Sequence, residues 1–281
     1  MSLTLEQVSY VYPNSGVRAV DDVDLQVPDD AFLAVIGHTG SGKSTLIQLA
    51  GGVLRPTSGR VLVDGRDLAS GKRERRELRR SIGFVFQYPE YQLFADTVFD
   101  DVAFGPRHQG LPSDEVEARV RWALDRVGLS FREVAERSPF EFSGGQRRRV
   151  ALAGVLAMRP RILILDEPVA GLDPRSHDGL LDLLLRLHEE GMLLVMVSHD
   201  MDDVARCATQ VLVMQEGASW CQGTPQVVFS RPDELRRIGL GVPRTLACAC
   251  ALRERGLRLP DRLYDTDTLA DAIAEELGHA R

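Results

Sequence analysis

One octet narrows the choice of fold more than any other part of the chain: Gly37-His38-Thr39-Gly40-Ser41-Gly42-Lys43-Ser44. It fits the pattern G-x-x-x-x-G-K-[ST] and lies between the continuous apolar run Phe32-Leu33-Ala34-Val35-Ile36 and a helix-like segment from Lys43 to Ala50. A run that is apolar at every position reads as a strand buried on both faces, so this strand–turn–helix unit opens a parallel α/β sheet. The glycines let the turn wrap until its backbone N–H groups and the helix start converge on phosphate oxygens. Lys43 adds a point charge there, and Ser44 offers its hydroxyl to Mg²⁺.

Three further buried strands are expected at Ile82–Phe86, Arg161–Leu165 and Leu193–Ser198, with helical pattern between them. Gln210–Met214 and Ala218–Cys221 form a closing hairpin about Glu216-Gly217. Ahead of the octet, Leu3, Leu5 and Val8-Tyr10-Tyr12 alternate, as do Val23-Leu25-Val27 after a turn around Pro13-Asn14-Ser15-Gly16, which predicts an antiparallel layer. Asp96 to Met158 shows no strand but several helical patterns, among them Ser113–Val127 with Ser113 as cap and Gly128 as stop. Beyond Ser230-Arg231-Pro232, helices are expected at Pro243–Arg255 and Thr266–Leu277, the second striped with Leu269, Ile273 and Leu277. The expected division is residues 1–230 for the α/β domain, with a helical subdomain at about 96–158, and 231–281 for a carboxy-terminal appendage and candidate dimerisation element.

Composition removes other classes. Thirty-four Lys+Arg against 41 Asp+Glu leave a formal charge of −7, without the basic excess that counterion release demands of a general nucleic-acid binder. The run Lys72-Arg73-Glu74-Arg75-Arg76-Glu77-Leu78-Arg79-Arg80 reads as a solvated helix face with mixed-sign pairs. Apolar runs such as Met192 to Val197 fall far short of the ~20 residues of a spanning helix, and the start Met1-Ser2-Leu3-Thr4-Leu5-Glu6 lacks a secretory pattern. Cys207, Cys221, Cys248 and Cys250 show no paired C-x-x-C spacing, so neither disulfides nor a zinc site is expected and a reducing cytosol fits.

Two more segments carry chemistry. Arg161-Ile162-Leu163-Ile164-Leu165-Asp166-Glu167 is an apolar strand ending in two carboxylates at its carboxyl edge, where ligands bind in open α/β sheets. Asp166 suits Mg²⁺ coordination and Glu167 suits polarising an attacking water; a solvent-facing strand end is the plainer alternative. Ser143-Gly144-Gly145-Gln146 has the spacing of a capping box, which by itself accounts for it. Two adjacent glycines weaken a helix start by ~1 kcal/mol each, a cost that makes more sense if their N–H groups approach an anion.

Together these residues resemble the nucleotide-binding subunit of ATP-binding-cassette (ABC) transporters over roughly residues 3–230. The resemblance implies a P-loop NTPase cassette of α/β class, with an antiparallel layer at its amino terminus, a helical insert and a small appendage. It implies Tyr12 as the aromatic that stacks on adenine, Gly37, His38, Thr39, Gly40, Ser41, Gly42, Lys43, Ser44 and Thr45 as the phosphate loop, and Gln87 as the loop glutamine reaching metal and γ-phosphate. It further implies Ser143, Gly144, Gly145 and Gln146 as the signature, Asp166 and Glu167 as the acidic pair, Asp173 in the loop Gly171-Leu172-Asp173, and His199 as the switch histidine. Separately, each also fits a structural role: Tyr12 a strand aromatic, Gln87 a loop polar residue, His199 a strand-end cap.

Finer stretches look like the ATPases of energy-coupling factor transporters: Phe86-Gln87-Tyr88-Pro89-Glu90-Tyr91-Gln92-Leu93-Phe94, Asp101-Val102-Ala103-Phe104-Gly105-Pro106 and Ile238-Gly239-Leu240-Gly241-Val242-Pro243. Phe142, Val169 and Asp29-Asp30 depart from the usual pattern without removing a catalytic group. The resemblance implies Mg²⁺-dependent ATP hydrolysis that drives import of vitamins or transition-metal ions from the cytoplasmic face of a membrane. It also implies a second, related ATPase subunit, a transmembrane coupling subunit and a substrate-binding membrane subunit as partners, with no nucleic acid. Glu90 is expected to receive an arginine from the coupling subunit. The rivals fit less well: repair ATPases carry long coiled-coil inserts, translation types usually join two cassettes, and a P-loop kinase has no use for Ser143–Gln146 or His199.

Overall fold

The structure, a computed structural model, describes residues 2–260 and 266–279. The chain opens with the antiparallel pair β1 (Leu3–Val11) and β2 (Arg18–Val27), in register Leu3 with Val27 and Leu5 with Leu25. Next come β3 (Phe32–Gly37), α1 (Lys43–Ala50), the hairpin β4 (Ser58–Val63) and β5 (Arg66–Asp67), α2 (Lys72–Arg80) and β6 (Ile82–Val85). A helical stretch holds α3 (Val98–His108), α4 (Ser113–Arg126), the short α5 (Phe131–Val134) and α6 (Gly144–Leu156). The second half runs β7 (Ile162–Asp166), α7 (Pro174–Glu189), β8 (Leu193–Val197), α8 (Met201–Cys207), and the hairpin of β9 (Gln210–Gln215) and β10 (Ala218–Gly223). It closes with α9 (Pro225–Phe229), α10 (Pro232–Arg237), α11 (Arg244–Glu254) and α12 (Thr266–His279).

Among the described residues the strands form two sheets, β2-β1-β4-β5 and β10-β9-β3-β8-β7-β6. The second is parallel from β9 to β6. Each face of it packs on a different core, which is why its central strands β3, β8 and β7 are buried at every position. In β7, Ile162 and Ile164 join β1, β2 and Leu46, Ile47 and Leu49 of α1 in one cluster. The alternate residues Leu163 and Leu165 join α3, α4, α6 and α7 in the other. At roughly 1.5–3 kcal/mol for each fully buried large aliphatic side chain, these two clusters fix the sheet in place. Since β3, β6, β7 and β8 run the same way, the loops leaving their carboxyl ends share one edge.

Four local expectations are corrected. The β4–β5 hairpin was not anticipated; it turns at Asp64-Gly65, both left-handed, at φ 50° and 72°. Ser113 is the first residue of α4 rather than its cap, a position taken by Pro112, while Gly128 (φ 74°) does end the helix. Leu235, Leu240 and Leu246 share a cluster with Ala34, Ile36 and Val213, so the boundary drawn after residue 230 falls inside a core attached to the sheet. The separate cluster of the appendage consists of Ala249, Leu259 and Leu269, with Ile273 against it, whereas Leu277 is exposed. Residues 261–265, 280 and 281 of the expected appendage lie outside the described residues.

Candidate active site

The phosphate-loop octet leaves the carboxyl end of β3 and enters α1. Its shape depends on Gly42, which is left-handed (φ 98°) and so close to β2 that a Cβ would lie 2.2 Å from the Ala19 carbonyl oxygen. The start of α1 has no side-chain cap and no acid in its first turn, leaving its N–H groups for an anion. At the loop's own start, a Cβ on Gly37 would meet the Met214 carbonyl and the buried Ser41 hydroxyl at 2.4 Å. His38 turns its Nδ1 to the Thr39 carbonyl at 2.8 Å.

Lys43 is buried and donates to the Gly37 and His38 carbonyls at 2.8 and 2.9 Å. Two of the three ammonium N–H groups are thus spent on holding the loop, and the third remains for a ligand. Burial pushes the Lys43 pKa down, against the pull of the Glu167 and Asp166 carboxylates. Ser44 donates to Asp166 Oδ1 at 3.2 Å. Asp166, the buried last residue of β7, is pushed above the usual carboxylate range by desolvation, against the Ser44 hydrogen bond and with the Glu167 charge adding to the rise.

Glu167 has a left-handed backbone, φ 48°, a conformation that costs a non-glycine residue on the order of 1–3 kcal/mol and persists only where its surroundings enforce it. Its N–H donates to the Val197 carbonyl at 3.2 Å, Gln87 Nε2 donates to its Oε2 at 2.9 Å, and His199 Nε2 lies 2.6 Å from its Oε1. Gln87 follows β6 and His199 follows β8, so the loops after three adjacent strands clamp one carboxylate.

Beside the loop, Tyr12, Val17, Arg18 and Ala19 face Gly40, Lys43, Ser44 and Thr45 across a cleft of about 510 Å³. Tyr12 is 38% exposed; its hydroxyl is 3.0 Å from Thr45 Oγ1, and its ring meets Tyr10 edge-on at 5.0 Å. Sequence reasoning missed the role of Glu216-Gly217 as a wall of this cleft. The turn was legible, but its bonds, Gly217 N–H to the Ser41 carbonyl and Asp21 N–H to the Gly217 carbonyl, join segments far apart in the chain.

A family model described as ABC transporter matches residues 20–170. The chain is 54% identical to the energy-coupling factor transporter ATP-binding protein EcfA2 of Symbiobacterium thermophilum, over 98% of this chain and 95% of that protein. It belongs to the ABC transporter ATPases of the energy-coupling factor family. The EcfA2 of Caldanaerobacter subterraneus subsp. tengcongensis is 47% identical over 99% of this chain and 98% of its own length. Among solved structures, cbiO1 of Clostridium perfringens, part of the ABC transporter complex cbiONQ, superposes with a TM-score of 0.75 at 37% identity, covering 90% of this chain and 98% of that one. The ATP-binding cassette MJ0796, a dimer in a post-hydrolysis state bound to ADP and Pi, gives 0.69 at 28% identity, covering 79% of this chain and 98% of its own.

In this energy-coupling factor ATPase, Ser143–Gln146 forms the expected capping box at the start of α6. The Ser143 hydroxyl accepts from the Gln146 N–H at 3.4 Å, and Gln146 Oε1 accepts from the Ser143 N–H at 3.2 Å. Gly145 has a packing reason within the chain, since a Cβ would lie 2.8 Å from Ser176 Oγ of α7, while Gly144 faces open space. Asp173 caps α7, accepting from the Arg175 and Ser176 N–H groups at 3.1 Å; hydrogen bonds from Ser176, its hydroxyl first, hold the carboxyl below the usual range.

Glu90, expected to receive an arginine from the coupling subunit, is paired within this chain. Arg148 donates Nε to Glu90 Oε2 at 2.9 Å and a guanidinium N–H to Oε1 at 2.7 Å, with side chains 4% and 11% exposed. Arg148 also donates to the Pro168 and Ala170 carbonyls at 3.0 and 2.7 Å and lies over the Tyr88 ring. It therefore ties the loop after Gln87 to α6 and to the segment between Glu167 and Asp173. Desolvation would raise the Glu90 pKa, but the Arg148 hydrogen bonds and charge outweigh it and hold the carboxyl below its usual value. Around this pair Tyr88, Tyr91, Phe94 and Phe104 are 40–80% exposed.

Proposed function

We propose that this chain binds ATP with Mg²⁺ along residues 37–45 and hydrolyses it to power an energy-coupling factor importer for vitamins or transition-metal ions. The observation that carries this reading is Glu167, held in a left-handed backbone between Gln87 and His199, next to Asp166 and Ser44. In this reading the loop N–H groups and the third N–H of Lys43 bind the phosphates, and Tyr12 stacks on the base. Glu167 polarises the attacking water and takes up its proton, while Gln87 and His199 fix the direction of its carboxylate. A carboxylate held at two oxygens needs little reorganisation when charge develops beside it.

The oxygens of Ser44 and Asp166, with Gln87 near, would hold Mg²⁺, whose charge would neutralise the β/γ-phosphates. The donor set fits. Among the described residues no group of three or more His, Cys, Asp or Glu gathers into a cage, and Mg²⁺ characteristically takes one or two protein oxygens and fills its shell with phosphate and water.

Ser143, Gly144, Gly145, Gln146 and Asp173 serve, in this reading, a nucleotide held by a second, related cassette; the unobstructed Gly144 leaves room at the start of α6 for an anion carried by such a partner. Tyr88, Tyr91, Phe94 and Phe104 dock on a transmembrane coupling subunit, which in turn carries a substrate-binding membrane subunit. The chain then works at the cytoplasmic face as a peripheral subunit, in keeping with the finding that no described helix is long and apolar enough to cross a membrane. Glu90 contributes to that docking by holding the aromatic loop on Arg148, not as a free anion. Detergent co-purification tests the assembly: tagged chain brings down membrane subunits, and replacing Tyr91 and Phe94 by Ala releases them with ATP binding intact. Recovery of the chain with soluble partners alone would refute the reading.

A further inference from the structure

The sequence marks α2 as a solvated helix, and the structure gives one face of it a shape. Arg75, Arg76, Arg79 and Arg80 converge with His108 and Gln109 from the end of α3 on a groove of about 400 Å³. The groove lies by Ile82, at the amino end of β6, while the phosphate loop and Gln87 lie at the carboxyl ends of their strands. Among the described residues no Asp or Glu lines it, in a chain whose formal charge is −7. Among the described residues none of the four arginines pairs with a carboxylate; Glu77 of the same helix is taken by Arg73 at 3.5 Å. Arg79 donates to the Gly52 carbonyl and Arg80 to that of Gln109, which orients both guanidinium groups and leaves most of their five N–H donors unused. Aligned arginines without acids repel one another, a cost that an anionic ligand would relieve.

The groove is continuous with the exposed aromatics. Phe104 and His108 stand one turn apart on α3 with ring centroids 4.2 Å apart, and Phe94 meets Phe104 at 5.0 Å. In the transporter reading Phe94 and Phe104 dock on the coupling subunit, so the adjoining row of arginines is set beside the membrane, where cations meet lipid phosphates. A cytoplasmic loop of a membrane protein is the poorer occupant, because such loops are themselves enriched in Lys and Arg.

We propose that this groove binds the headgroups of anionic phospholipids, so that the ATPase holds the leaflet directly beside its docking loop. The inference rests on the transporter reading for its orientation, but its test does not. Purified full-length chain is sedimented with protein-free vesicles of phosphatidylcholine, with or without phosphatidylglycerol. The parent is expected to sediment with the phosphatidylglycerol vesicles only, and less so as salt rises. Arg76→Glu with Arg80→Glu, both exposed on α2, should weaken that partition by at least about 25-fold, about fivefold for each basic residue lost near the surface before the added negative charge is counted, with ATP binding unchanged. Equal sedimentation of parent and variant, binding to neutral vesicles, or no sedimentation overturns the proposal. So does capture of soluble polyglutamate in preference to vesicles, which would give the groove to an acidic protein segment. The vesicles contain no transporter, so these failures leave the importer reading standing; a parent chain that binds no ATP would strike that reading alone.

Discussion

Removing the Glu90 carboxylate strands Arg148 in a site where only 4% of its side chain reaches solvent. Breaking a buried pair by deleting one partner costs about 3–5 kcal/mol, because the remaining charge keeps its desolvation penalty. Arg148 keeps its bonds to the Pro168 and Ala170 carbonyls, which places Glu90→Ala near the lower end, about 3 kcal/mol. With ~2–4 °C per kcal/mol for a domain of this general size, the melting temperature should fall roughly 6–12 °C. Acid provides an internal control. The Glu90 pKa lies below its ordinary 4.5, so the pair's contribution is complete above that value and drains away as pH falls through the lower, folded-state value. Melting curves of parent and Glu90→Ala should therefore be well separated at neutral pH and converge in acid. Glu90→Arg should be worse still, setting two guanidinium groups against each other, and should fail through instability before partner binding can be assayed. A Glu90→Ala chain that melts with the parent at neutral pH, or a gap that persists in acid, would refute the reasoning.

Gly42→Ala should abolish ATP binding, since a Cβ there meets the Ala19 carbonyl at 2.2 Å and the left-handed backbone resists it; equilibrium binding of a fluorescent ATP analogue checks this, with near-UV circular dichroism to show that the remaining fold survives. Cys207, whose thiol burial pushes up to about 12, should resist iodoacetamide at mildly alkaline pH while the exposed Cys248 is alkylated, as peptide mass mapping would reveal.

The elements legible in the sequence are those whose signal is local. β3, β7 and β8 are buried at every position because each lies between two cores, and an unbroken apolar run announces that. The phosphate loop likewise carries its glycines, Lys43 and Ser44 in one stretch. β4 was missed because Val61 and Val63 are its only buried residues, although the Asp64-Gly65 turn that follows is itself a hairpin signal. Arg148 was hidden among Arg147, Arg148 and Arg149; only its spacing to Leu152 and Leu156 places it on the buried face of α6. The clamp on Glu167 could not be read locally, because Gln87 is 80 residues away and meets it only through the parallel order β8-β7-β6. The same holds for the groove at α2, whose residues look like an ordinary solvated helix until α3 is packed against them.

The role of Glu167 as the group that activates water is measured most directly by single-turnover hydrolysis of bound ATP by the complex carrying Glu167→Gln. An amide in its place keeps the shape of the clamp between Gln87 and His199 but cannot accept the proton. ATP should be bound at parent affinity and cleaved about 10²–10⁴-fold more slowly at the site this chain provides. Cleavage there at the parent rate would contradict that role.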